Sequence, residues 1–76
     1  MKADATVAAE IFRAVQAKVS GNSEGDIVVH VHPDLAAYFE GEGRDGLARL
    51  ARALDRKIII EPVVKPHRDE YDVAMR

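Results

Sequence analysis

The sequence predicts a small α/β domain whose elements run helix, strand, helix, helix, strand, strand, with a mixed three-stranded sheet packed against the helices. Three observations predict it. Apolar residues recur at helical spacing near the start and again in the middle of the chain; two runs, IVVHV and KIII, are rich in β-branched residues; and Tyr71, Val73 and Met75 alternate with Asp72 and Ala74. At 76 residues the whole of 1–76 makes one domain with one core, because a chain this short buries only about 60% of its unfolded surface.

Val7, Ile11, Val15 and Ala8, Phe12, Val19 share a face at helical pitch, which predicts a first helix over residues 5–19 capped by Asp4 or Thr6. Ser20 to Asp26 concentrates turn-forming residues and reads as a loop. In the strand that follows, Ile27, Val29 and Val31 lie on one face and Val28, His30 and His32 on the other. Pro33 suits the first position of a helix and Asp34 its positive end, so Leu35, Tyr38 and Phe39 pack inward from a short helix ending near Gly41. A further helix begins near Gly46, with Asp45 as its cap and Leu47, Leu50, Ala51 and Leu54 on one stripe; Asp55 and Arg56 end it. Ile58, Ile59 and Ile60 read as a central strand buried on both faces, and Pro62, which has no N–H for a ladder, marks its end. The connection between the first two strands is long enough for a parallel crossover, and the shorter loop after Pro62 suits an antiparallel return. Strand order stays open.

Composition narrows the function classes. With no cysteine the chain has neither a disulfide framework nor a thiolate metal site, and a cytoplasmic location is expected. The apolar runs are far too short to span a bilayer, so no membrane partner is expected. Eleven basic against thirteen acidic side chains leave a net charge of −2. That balance is unlike a dedicated nucleic-acid binder, and any RNA contact needs a local patch.

The candidate patch is on the third helix. Arg49, Arg52 and Arg56, spaced by three and then four, form a ridge opposite the leucine stripe, with Arg44 and Lys57 at its ends. Guanidinium forks match phosphate geometry, so this row could follow single-stranded RNA. The more ordinary reading is the solvated face of a core helix, its arginines paired with Asp45, Asp55 or other carboxylates, and a third is a subunit contact. His30 and His32 share a strand face, but two imidazoles fall short of a zinc ligand set and His67 lies in a loop, so no metal site is expected. Glu40, Glu42 and Asp45 have no partner base or nucleophile, Ser20 and Ser23 no activating base, and no catalytic residue is expected.

Thr6, Val7, Glu10, the run VHPDLAAYFEGE, Leu47, Leu50, the strand Lys57 to Glu61 with Pro62, and HRDEYDV together resemble the C-terminal small domain of the ribonuclease E/G family. The loop between Pro62 and Tyr71 is longer than in several relatives. The resemblance implies a fragment without catalytic machinery, the cleaving carboxylates and cysteine zinc link belonging to preceding parts of the parent chain. It implies that the parent is a cytoplasmic homo-oligomeric endoribonuclease that uses Mg²⁺ and Zn²⁺ on single-stranded RNA in RNA processing, and that the small domain helps assemble subunits. Val63, Val64 and Tyr71, beside an open sheet edge, are the candidate interface residues. The alternative is a stand-alone RNA-binding module of the KH kind, since Gly43, Arg44, Asp45 and Gly46 match the Gly-x-x-Gly spacing of its RNA clamp, although Asp45 would repel phosphate.

Overall fold

The computed structural model describes residues 3–20, 25–64 and 67–76. Its elements are α1 (Asp4–Ser20), β1 (Ile27–Val31), α2 (Pro33–Glu40), α3 (Arg44–Leu54), β2 (Ile58–Pro62) and β3 (Tyr71–Met75), in the expected order. Of the turn predicted before β1, Gly21, Asn22, Ser23 and Glu24 lie outside the described residues.

Each helix forms around its apolar stripe. α1 buries Val7, Ala8, Ile11 and Val15, the residues whose spacing predicts it. Neither Asp4 nor Thr6 caps it. The amides of Thr6 and Val7 instead donate to the Ala3 carbonyl at 3.0 and 3.1 Å, and the Asp4 side chain accepts from the Arg68 guanidinium. That contact, followed by the charges of Asp34 and Asp69, raises the Arg68 pKa above its ordinary value. α2 starts with Pro33 at its first position, and the His32 ring caps it through Nδ1, which accepts from the Asp34 amide at 3.0 Å. α3 begins two residues before the expected Gly46, with Gly43 in the cap position and Asp45 in the first turn without a capping bond.

Strand order is β2-β1-β3, β1 running parallel to β2 and antiparallel to β3. β1 is therefore the centre, with Ile27, Val28, Val29 and Val31 all buried. The expectation that β2 is a central strand buried on both faces is corrected: β2 is an edge, and Ile58, Ile59 and Ile60 are half-buried. An unbroken isoleucine run satisfies either place, and pairing decides between them. β3 does return antiparallel, but it passes β2 to pair with the far side of β1.

The register sorts the sheet into two faces. Ile27, Val29 and Val31 with Ile58, Ile60, Tyr71, Val73 and Met75 join the helix residues Ile11, Val15, Leu35, Phe39 and Leu50 in one core. Phe39 sits at its middle, 6.1 Å from the Phe12 ring and edge-on to Tyr38 at 5.5 Å. Cross-strand rows on the other face are Val28, Ile59, Ala74 and His30, Glu61, Asp72. None of these six belongs to that core.

Candidate nucleic-acid interface

α3 has two sides of opposite chemistry. Leu50 is buried and Leu47 and Leu54 pack against the core, which turns Arg49 and Arg52 outward. Arg44 and Lys57 are also exposed, and Arg56 is half-buried. Among the described residues, Arg44, Arg49, Arg52 and Lys57 make no ion pair and no side-chain hydrogen bond. The pairing of this row with Asp45 or Asp55, one form of the solvated-face reading, is thus not formed.

Arg56 differs from its neighbours. Its Nη1 donates to the Gly25 carbonyl at 3.1 Å, tying the end of α3 to the start of β1. The turn that allows this is made by Asp55, whose backbone is left-handed at φ 52°, with the Arg56 amide returning to the Ala51 carbonyl at 3.1 Å. Ala51, Arg52, Asp55, Arg56 and Lys57 line an open cleft of about 340 Å³ at this end. Cations here also complement the negative pole of α3.

Arg49 and Arg52 lie roughly 4.5 Å apart along the α3 axis, and Arg56 follows the helix end, beyond the left-handed turn at Asp55. A stacked nucleic-acid strand advances about 3.4 Å per nucleotide, so Arg49 and Arg52 match the spacing of neighbouring phosphates. The geometry offers charge and hydrogen-bond donors to an anionic backbone. It offers no stacking platform beside them, because Phe12, Tyr38 and Tyr71 all pack against the core.

The other predicted residues scatter. Tyr71 is half-buried on the helix-covered face. The Val63 amide donates to the Val31 carbonyl at 2.8 Å, continuing the pairing past β2, whereas Val64 stands 96% exposed. Of the Gly-x-x-Gly run, Arg44, Asp45 and Gly46 form the first turn of α3 rather than a loop. Gly43 is buried beneath the Tyr38 ring and Gly46 faces Phe12, so this segment presents no glycine clamp.

His30 and His32 do separate jobs, His32 capping α2 while His30 Nε2 meets Glu61 Oε1 at 3.0 Å. Glu61 Oε2 in turn accepts from Arg76 at 3.1 Å. This polar row could not be read from spacing, because His30 and Glu61 meet only through the β1–β2 register. Glu40, Glu42 and Asp45 are exposed and form no ion pair among the described residues. Among those residues no three His, Asp or Glu side chains converge to hold a metal. No described helix is long and apolar enough to cross a membrane.

The fold and this face define a small α/β domain with a basic helix surface that forms no ion pair among the described residues. No protein-family model matches the chain, and no curated protein matches it significantly.

Proposed function

We propose that the chain is a non-catalytic accessory module of a ribonuclease E/G-like endoribonuclease, acting in RNA processing. It contributes to subunit assembly and lends the outer face of α3 to single-stranded RNA. The observation that carries the RNA contact is that Arg44, Arg49 and Arg52 on α3, and Lys57 just beyond it, are exposed without an ion-pair partner among the described residues. Arg49 and Arg52 on the outer face of α3, with Arg44 and Lys57 towards its two ends, supply the local patch that a domain of net charge −2 lacks in its overall balance. The ribonuclease assignment rests on the resemblance of the sequence segments that fold as α2, β2 and β3.

Fluorescence anisotropy with a short labelled single-stranded RNA at low salt tests the RNA contact. Contacts from Arg49, Arg52 and one of the flanking cations, three phosphates in all, predict a slope of about −2 in log affinity against log salt, falling to about −0.7 in the double variant Arg49→Gln/Arg52→Gln. Salt-independent binding, or a double variant that binds like the parent, would refute the contact.

A further inference from the structure

The two edges of the sheet are built differently. Asp26 and Arg76 exchange both backbone hydrogen bonds, at 3.2 and 2.9 Å. Because such pairs alternate along an antiparallel ladder, Ala74 and Asp72 point their peptide groups at β1, while Tyr71, Val73 and Met75 point theirs away from the sheet. None of these three outward residues is bonded there by any described residue.

On the opposite edge the Ile27 amide donates to the Lys57 carbonyl and the Val63 amide to the Val31 carbonyl. Ile58, Ile60 and Pro62 are therefore the outward residues of β2. Pro62 has no N–H, so that edge is blunted, as natural edge strands commonly are. β3 carries neither proline nor lysine nor glycine.

We infer that the β3 edge pairs with β3 of a second copy of this chain, antiparallel about a two-fold axis through Val73, making a continuous six-stranded sheet. The sequence of the strand is self-complementary in that register. Val73 meets Val73 of the other copy and Tyr71 meets Met75, so every outward N–H and C=O of the three residues finds a partner. On the second face Asp72 stands opposite Ala74, so no two like charges oppose each other directly. On the first face Tyr71, Val73 and Met75 continue the helix-covered side across the junction. This deepens the assembly half of the reading above, naming the surface and the partner, and it does not depend on RNA contact.

Amide hydrogen exchange and sedimentation equilibrium over a concentration series test it on the whole chain. The expected result is a rise from 8.4 kDa towards twice that mass, accompanied by slowed exchange at Tyr71, Val73 and Met75 alone among the strand residues. Ala74→Asp places a carboxylate opposite Asp72 at two equivalent positions and should weaken association roughly tenfold. Asp72→Lys added to it restores attraction and should recover association. Ala74 and Asp72 lie on the face away from the core, and the unchanged circular dichroism of each variant verifies its fold. A chain that stays at the single-copy mass throughout overturns the pairing, and so does a dimer whose Tyr71, Val73 and Met75 amides still exchange freely. The second result would leave subunit assembly standing on a different surface, and the first would leave RNA contact to be judged by its own titration.

Discussion

Asp55 and two glycines show how single backbone positions hold the ends of the elements together. Asp55 adopts the left-handed conformation that closes α3. Glycine does so at less cost, so Asp55→Gly should raise stability by up to about 1 kcal/mol in denaturant unfolding. Gly25 is the opposite case: its φ is 98°, and a Cβ there would lie 2.3 Å from the Arg76 carbonyl oxygen. Gly25→Ala should cost more than about 1 kcal/mol and loosen the Asp26–Arg76 pair. At Gly43 a Cβ would come within 2.4 Å of the Tyr38 ring, and Gly43→Ala should cost about 1–3 kcal/mol by overpacking. The sequence shows Gly43 as a chain break. Its place beneath Tyr38 depends on how α2 and α3 fold together, which no local pattern encodes.

Among the elements, α3 separates structure from surface most cleanly. Leu50→Ala should destabilise by about 2–5 kcal/mol, because it opens a cavity in the single core. Arg49→Gln, on the exposed side, should change stability by no more than about 0.5 kcal/mol. Equilibrium unfolding of the two variants measures the contrast. Both sides were legible from the leucine and arginine spacing, because a 3.6-residue period needs no knowledge of the partner surface. The centre of the sheet was not. The unbroken run Ile58, Ile59 and Ile60 reads as a strand buried on both faces, yet β1 takes the middle because both β2 and β3 register against it. The His30–Glu61–Arg76 row was hidden for the same reason, since its members come from β1, β2 and the residue that follows β3.

For the molecule as a whole, the helices and the core lie on one side of the sheet, leaving the rows Val28, Ile59, Ala74 and His30, Glu61, Asp72 on the other. Such a one-sided plate has two edges and a second face to protect. Pro62 protects one edge, and the proposed pairing of copies protects the other. If so, stability should depend on protein concentration: the unfolding midpoint of the native chain rises with concentration, while that of Ala74→Asp reaches the same rise only at about tenfold higher concentration.

The central position of β1 also dictates when the chain can acquire its structure during synthesis. β1 is made early but has no finished neighbour on either side until Ile58–Pro62 and then Tyr71–Met75 have been made. Arg68 must likewise travel back to Asp4, across nearly the full length of the chain. Closing such distant contacts comes late and slowly. A ribosome-bound chain stopped before Tyr71 should therefore remain open to protease, with Ile27, Val29 and Val31 exposed to neighbouring nascent chains, and become resistant only once the last strand has left the exit tunnel.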